Sequence, residues 1–301
     1  MNAPRRAPRR KVDGVILLDK PSGISSNAAL QRVRRLFNAA KGGHTGTLDP
    51  LASGLLPLCL GEATKFSQTL LDADKAYEAD LRLGVRTTTG DAEGEVLETR
   101  PVDVANDTVF AACKKFVGEI EQIPPMYSAL KVAGRPLYDY ARDGVTLERK
   151  PRQVHIRRIE LLGFDRDTVR LAVDCSKGTY IRVLAEDIGE VLGCGAHLVA
   201  LRRTRIGRFH IDESVELSQI EANPDCASRW LLPVDHLLAD WPSVLLDESA
   251  AGRFAHGQTV PASAGIGDVP VRVYGPSGRF VGAADHVGGV LHPRRLLGSG
   301  E

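Results

Sequence analysis

One acidic side chain stands out in the sequence because of the glycines around it. Residues 42–54 read Gly-Gly-His-Thr-Gly-Thr-Leu-Asp-Pro-Leu-Ala-Ser-Gly and contain His44 and Asp49. This spacing matches neither of the two common phosphate-binding glycine motifs, so a nucleotide-cradling loop is not supported. Glycines let the backbone approach a ligand closely, and such a loop would present one carboxylate to it. The structural alternative makes Asp49 the N-cap of a helix with Pro50 as its first residue.

A second candidate segment runs from Cys175 to Arg182, just after a predicted strand. Its aromatic residue Tyr180 and its cation Arg182 could stack on a base and pair with a carboxylate. Tyr77, at the start of another predicted strand, is a third candidate. For both tyrosines the structural alternative is a place in the hydrophobic core. His44 alone does not indicate a metal site, because no second ligand accompanies it.

The elements that must position these residues predict a mixed α+β fold. Residues 15–18 are typical of a short buried strand, and residues 76–83 alternate between apolar and polar side chains. Apolar spacing predicts helices over 107–117 and from Tyr180 onward, where Leu184, Ile188 and Val191 share one stripe. Strands and helices mix without regular βαβ alternation, which favours the α+β class.

Charge is balanced over the whole chain but segregated along it. Lys and Arg number 39 and Asp and Glu 38, a formal net charge of +1. Basic residues concentrate in 1–43, 131–158 and 201–208, whereas residues 212–250 contain nine acidic residues and only one arginine, Arg229. Local positive fields of this kind attract polyanions, so RNA or DNA is the favoured partner class. We interpret residues 1–11 as a flexible basic arm.

Several classes of protein are excluded by composition. The longest apolar stretches are far shorter than the ~18 residues that a membrane span needs, and no signal peptide is recognisable at the N-terminus. The five cysteines show no C-x-x-C spacing, which argues against a disulfide framework and a zinc site and fits a reducing cytoplasm. We therefore expect a soluble cytoplasmic protein.

Seven segments, taken in order, closely resemble the TruB family of tRNA pseudouridine synthases, bacterial type. These enzymes isomerise the T-loop uridine at position 55 in tRNA numbering. Each segment is a modest signal, but all seven together are specific. The matching segments are 19–23 (Asp-Lys-Pro-Ser-Gly), 43–50, 61–65, 75–77 (Lys-Ala-Tyr), 124–131 (Pro-Pro-Met-Tyr-Ser-Ala-Leu-Lys), 175–182 and 201–203.

The resemblance implies a role for each candidate residue. Asp49 resembles the indispensable catalytic carboxylate, and an ordinary pKa of ~3.9 would already leave it ionised at neutral pH. Whether it attacks the ribose, adds to the base ring or abstracts a ribose proton stays open. Arg182 resembles its salt-bridge partner. The remaining implied roles are substrate contacts: Tyr77 stacks on the base, Tyr180 and Leu201 line its pocket, Lys20 and Pro21 brace that pocket, and His44 fills the space that the flipped nucleotide leaves.

The same resemblance implies the organisation and the partners of the chain. It predicts a pseudouridine synthase fold with a mixed, largely antiparallel central sheet in residues 12–240. Within it, residues 122–150 would form an RNA-gripping thumb that carries Lys131, Arg135, Arg142, Arg149 and Lys150. Residues 241–301 would form a small β-barrel-like PUA module that carries Arg294 and Arg295. The expected partner is the tRNA T stem-loop, bound by a monomer, with no metal, cofactor or membrane implied.

Two other functions stay open at the level of sequence. The basic runs also suit a structural RNA binder or annealing factor, for which Asp49 would be dispensable. One carboxylate and a flipped nucleotide also suit a base-releasing glycosylase, which would liberate free uracil.

Overall fold

The computed structural model describes residues 8–262 and 265–298. Most of the arm predicted at 1–11 therefore lies outside the described residues. The strands, in chain order, are β1 (Gly14–Lys20), β2 (Gly42–His44), β3 (Ser53–Leu60), β4 (Lys75–Leu83), β5 (Val85–Thr87), β6 (Val96–Thr99), β7 (Gly118–Gln122), β8 (Lys131–Val132), β9 (Arg135–Pro136), β10 (Arg152–Asp165), β11 (Thr168–Cys175), β12 (Ala196–Ile206), β13 (Phe209–His210), β14 (Val215–Glu216), β15 (Ser243–Leu245), β16 (Val260–Pro261), β17 (Pro270–Tyr274), β18 (Phe280–Val287) and β19 (Val290–Leu296).

Helices are short and lie between the strands. The α-helices are α1 (Ser26–Leu36), α2 (Gln68–Leu71), α3 (Asn106–Lys114), α4 (Leu137–Arg142), α5 (Ile181–Val191), α6 (Leu217–Ala222) and α7 (Glu248–Ala255). Segments of 3₁₀ helix span Gly61–Phe66, Ile211–Glu213, Pro224–Trp230 and Val234–Leu238. Over the described ranges, no helix combines the length and the apolar character needed to cross a membrane.

A ten-stranded mixed sheet carries the site. Its order is β14–β1–β3–β12–β4–β11–β10–β7, with β2 on β3 and β13 on β12. Among the described strands of this sheet, the β1–β14 and β3–β12 pairs are parallel and the others antiparallel. The predicted α+β class with a largely antiparallel central sheet is confirmed. Since β3, β12, β4 and β11 are neighbours, segments distant in sequence meet at one end of this sheet.

Sequence periodicity explains the central strands and the helix that covers them. On β4, Ala79, Leu81 and Leu83 are buried, as the alternation over 76–83 predicts. On α5, Leu184 and Ile188 are buried against the sheet. Val191 is 43% exposed, so its predicted place on the buried stripe is wrong. It is the last residue of its helix, where the stripe has passed the edge of the core.

The C-terminal residues form a separate five-stranded sheet in the order β15–β17–β18–β19–β16. It has its own small core around Phe254, Val271 and Leu291. It also packs on the main body, where the rings of Phe66 and Phe280 lie 5.6 Å apart. This second contact adds buried apolar surface to a module that is close to the lower size limit for folding alone.

The segment between β7 and β10, where the thumb is predicted, contains a minimal hairpin and one short helix. Strands β8 and β9 pair around Gly134, and α4 follows directly. Most basic side chains of this segment are exposed, including Lys131, Arg135 and Arg142. Arg135 is paired with Asp143, 2.5 Å away.

Candidate active site

Asp49 lies in an irregular loop between β2 and β3, so the alternative of a helix N-cap is wrong. The loop is fixed on both sides of this residue. The buried hydroxyl of Ser26 accepts from the Leu48 N–H (2.8 Å) and donates to the Leu48 carbonyl (2.9 Å). The Gly23 N–H donates to the carbonyl of Pro50 at 2.8 Å. These bonds hold the carboxylate at one place above the end of the sheet.

Arg182 is the direct partner of that carboxylate. It sits in the first turn of α5, and its Nη2 lies 3.1 Å from Oδ2 of Asp49. The guanidinium also donates to the carbonyls of Thr89 (3.0 Å) and Tyr127 (2.7 Å). Its side chain is only 6% exposed. With these three contacts, the planar cation has little freedom to move, and it orients the carboxylate of Asp49.

A second carboxylate, Asp91, faces the same arginine and is not predicted from the sequence. Its Oδ2 lies 3.4 Å from Nη1 of Arg182, and its side chain is 4% exposed. Its Oδ1 accepts from the hydroxyl of Thr89 (2.5 Å) and from the N–H of Glu93 (3.1 Å). The sequence around Asp91 indicates only a tight turn, in which an aspartate side chain accepts a hydrogen bond from the N–H two residues further on. Nothing in the spacing relates that turn to Asp49.

Electrostatics around Asp49 differ from the expectation of an ordinary pKa. The side chain is 42% exposed, yet the surrounding protein excludes enough water that desolvation raises its pKa. Arg182 and Lys20 act in the opposite direction, and the charge of Asp91 adds to the increase. The raised pKa makes the carboxylate a stronger proton acceptor than a solvated aspartate.

An inner cavity of about 370 Å³ opens beside Asp49. Its walls bring together residues from five separate sequence segments. Tyr77 lies on β4, Leu201 lies on β12, and Tyr180 directly precedes α5. The lining residues predicted from the sequence are Asp49, Tyr77, Tyr180, Arg182 and Leu201. The volume falls in the range of small-ligand pockets.

An outer cavity of about 510 Å³ meets the inner one at Asp49, Ser128 and Arg182. His44 lines this outer cavity and not the inner one. Burial and the charge of Arg203 lower the pKa of His44, so its imidazole is neutral at pH 7. Tyr138 and Arg142, from the segment between β7 and β10, also line this outer cavity. The site therefore has two adjoining compartments, and Asp49 lines both.

Two buried cations support the floor of the site. Lys20 is fully buried and its Nζ donates to the carbonyls of Pro21 (2.8 Å) and Ile24 (2.7 Å). Burial lowers the pKa of Lys20 to about 8, with Asp49 acting against the decrease. Arg203, also buried, donates to the carbonyls of Leu55 (2.7 Å) and Gly46 (3.1 Å). Lys20 thereby fixes the turn that leads into α1, and Arg203 links β3 to the loop that precedes Asp49.

Three family models match the chain one after another. The TruB family pseudouridylate synthase (N terminal domain) matches residues 34–181. The tRNA pseudouridylate synthase B C-terminal domain matches residues 182–239. Pseudouridine synthase II TruB, C-terminal, matches residues 242–297. The first match contains the Asp49 loop, Tyr77 and Tyr180, and the second contains Arg182 and Leu201.

Similar proteins span nearly the whole chain. The tRNA pseudouridine synthase B of Aromatoleum aromaticum is 57% identical over 97% of this chain and 95% of its own. The solved Cbf5-Nop10-Gar1 complex contains a chain 28% identical, with a TM-score of 0.71 over 94% of this chain and 84% of that chain. A structure of an H/ACA RNP bound to a substrate RNA containing 2'-deoxyuridine contains a chain that is 26% identical, with the same TM-score and coverage. The chain belongs to the TruB family of pseudouridylate synthases, which are isomerases.

Proposed function

We propose that this chain flips the uridine at position 55 of the tRNA T loop into the inner cavity and isomerises it to pseudouridine, with Asp49 as the essential group. Family membership and the 57% identity to a tRNA pseudouridine synthase B carry the coarser statement that a tRNA uridine is converted. One observation supports the finer proposal that the base is flipped into the inner cavity and that Asp49 is essential. Asp49, paired with Arg182, stands where the inner and outer cavities meet.

Flipping follows from where the carboxylate stands. A base stacked inside an RNA loop cannot enter the inner cavity beside Asp49, so the nucleotide must leave the stack. The inner cavity offers the rings of Tyr77 and Tyr180 and the apolar side chain of Leu201. Stacking on an aromatic ring is worth ~1–3 kcal/mol per base, which offsets much of the unstacking cost.

The outer cavity and the thumb suit the RNA loop that the target nucleotide leaves. Because the imidazole of His44 is neutral, it can occupy the vacated space without the cost of burying a charge. Exposed basic side chains along 131–150 provide phosphate contacts around the loop. Arg142 lies over the ring of Tyr138, 5.4 Å from its centroid, where it borders the outer cavity. We assign this surface to the T stem-loop and the protein to a cytoplasmic monomer.

The chemistry breaks the bond from uridine N1 to ribose C1′ and forms a bond from C5 to C1′. The proton that leaves C5 is balanced by one gained at N1, so no atom or electron is exchanged with a co-substrate. In each of the three roles open to Asp49 the ionised carboxylate is the reactive form. Arg182 keeps that carboxylate ionised and oriented inside a site that loses water when the RNA closes it.

The direct test uses an unmodified T-arm stem-loop and the purified chain. We expect pseudouridine at position 55 alone, mapped at single-nucleotide resolution, with no free uracil released. Free uracil would instead support the glycosylase alternative. If an Asp49 variant without activity rescued every phenotype of a deletion strain, the structural RNA-binder alternative would be favoured.

The pH dependence follows from the raised pKa of Asp49. The reactive form is ionised, so kcat/KM should fall as the pH decreases through that pKa, with an inflection above the ordinary ~3.9 of aspartate. Single-turnover rates at subsaturating protein concentration, from pH 4 to pH 8, give kcat/KM and thus measure this inflection, and RNA affinity over the same range controls for weaker binding. A rate that stays constant down to pH 4 in the folded protein would contradict the prediction.

Variants of Tyr77 test whether the inner cavity binds the base by stacking. Tyr77→Phe keeps the ring and should cost little, whereas Tyr77→Ala should lower kcat/KM by about ten- to a hundredfold, the value of one stacked base. Single-turnover rates on the T-arm stem-loop measure both. Equal losses in the two variants would assign the role to the hydroxyl, which lies near Arg203.

A further inference from the structure

Ser128 holds a buried hydroxyl that no described protein group satisfies. The residue is 5% exposed, and its Oγ is buried without a hydrogen-bond partner. Its backbone, in contrast, is fully engaged. The Ser128 N–H donates to the carbonyl of Met126 (2.9 Å), and its carbonyl accepts from the N–H of Tyr138 (3.1 Å). The preceding carbonyl, that of Tyr127, accepts from Arg182. The residue is therefore fixed in place while its side chain stays unpaired.

The position of this hydroxyl indicates where its missing hydrogen-bond partner would lie. Ser128 lines both cavities, at the boundary where Asp49 and Arg182 also lie. A buried hydroxyl without a partner is unfavourable and uncommon in native proteins. Serine has one side-chain torsion with three staggered positions, so a change of rotamer can turn Oγ into the inner cavity while the backbone stays as it is.

We propose that the hydroxyl of Ser128 donates a hydrogen bond to a carbonyl oxygen of the flipped uracil and thereby holds the base during isomerisation. This inference rests on the proposed function of the cavity. It adds a substrate-binding residue from the thumb, beside the aromatic and apolar residues of the sheet.

The symmetry of uracil makes a hydroxyl well suited to this position. Turning the ring over about its N3–C6 axis exchanges N1 with C5 and O2 with O4. The detached base has to present C5 where N1 was, and after this turn the second carbonyl occupies the place of the first. A single donor at a fixed point can thus bind the base before and after the turn, without rearrangement of the protein.

The alternative partner within the protein is the hydroxyl of Tyr180. The hydroxyl of Tyr180 is close enough to that of Ser128 to affect the pKa of Tyr180, which burial raises and the Ser128 side chain lowers, but the two hydroxyls do not meet in hydrogen-bonding geometry. If Ser128 served only to position this tyrosine, its effect would vanish once the phenolic hydroxyl was removed. The two roles therefore separate in a double-mutant cycle.

The experiment compares the activity of the Ser128→Ala variant with that of the protein without substitutions, both on the T-arm stem-loop. We expect the single-turnover rate to fall by about tenfold, the effect of one lost hydrogen bond to substrate. The thermal midpoint should stay equal or rise, because the substitution removes an unsatisfied buried group. Ser128→Thr, which keeps the hydroxyl, should retain more activity than Ser128→Ala. An unchanged rate, or a loss explained by a lower thermal midpoint, would overturn the inference.

Two further measurements identify the partner. The first uses RNAs whose target base carries a 4-thio or a 2-thio substitution, because a thiocarbonyl sulfur is a weak hydrogen-bond acceptor. On at least one of these two RNAs, the loss of rate caused by Ser128→Ala should be smaller. In a Tyr180→Phe background, the loss from Ser128→Ala should persist. Losses that are unchanged on both thio-substituted RNAs, or that vanish with Tyr180→Phe, would refute the base contact. Absence of pseudouridine with the unmodified protein would instead refute the proposed function itself.

Discussion

Replacing Asp49 by Asn should abolish pseudouridine formation and leave tRNA affinity within a small factor of the unmodified value. Asparagine has the same shape and can still accept from Arg182, but it carries no charge and can act neither as a nucleophile nor as a base. Loss of such a group costs at least about a thousandfold in rate. Single-turnover assays on the T-arm stem-loop, with binding measured on the same RNA, give both values.

A matched control separates chemistry from general electrostatics. Asp80→Asn removes one negative charge from the same sheet, at a carboxylate that lies 3.4 Å from Arg170 and lines neither of the two cavities. It should leave the rate of pseudouridine formation unchanged. If Asp49→Asn retained turnover within tenfold of the unmodified protein, Asp49 would lose its assigned role, and the reactive group would have to be sought elsewhere in the cavity.

Strong periodicity made the central elements predictable. The alternation on β4 and the apolar stripe on α5 each reflect burial against a large core, which dominates local preferences. The hairpin of β8 and β9 was not predicted, because two strands of two residues each carry no periodic signal. Its formation depends on Gly134 and on the backbone around it, for which the sequence offers only turn residues.

The site could be predicted in part. Family motifs singled out Asp49, Tyr77, Tyr180, Arg182 and Leu201, all of which line the inner cavity. Asp91 was missed because it comes close to Asp49 only in the folded chain, where both carboxylates lie beside Arg182 from a third segment. The raised pKa of Asp49 was missed for the same reason, since desolvation by the cavity walls arises from tertiary structure.

Replacing Arg182 by Met should reduce both stability and activity, because this cation lies between two carboxylates. Met preserves the apolar stem and removes the charge. Asp91, 4% exposed, would then be a buried anion without a cation beside it. Removing one member of a buried ion pair costs about 3–5 kcal/mol of unfolding free energy. The rate should fall by at least about a hundredfold, since Asp49 loses its orienting partner.

The double variant Arg182→Met with Asp91→Asn decides between the two effects of this arginine. Removing the second charge should restore much of the unfolding free energy at pH 8, because no buried anion remains unpaired. Activity should stay low, because Asp49 still lacks its partner. Recovery of activity together with stability would mean that Arg182 serves only to neutralise Asp91. A single variant as stable as the unmodified protein at pH 8 would show that the buried pair contributes nothing to the fold.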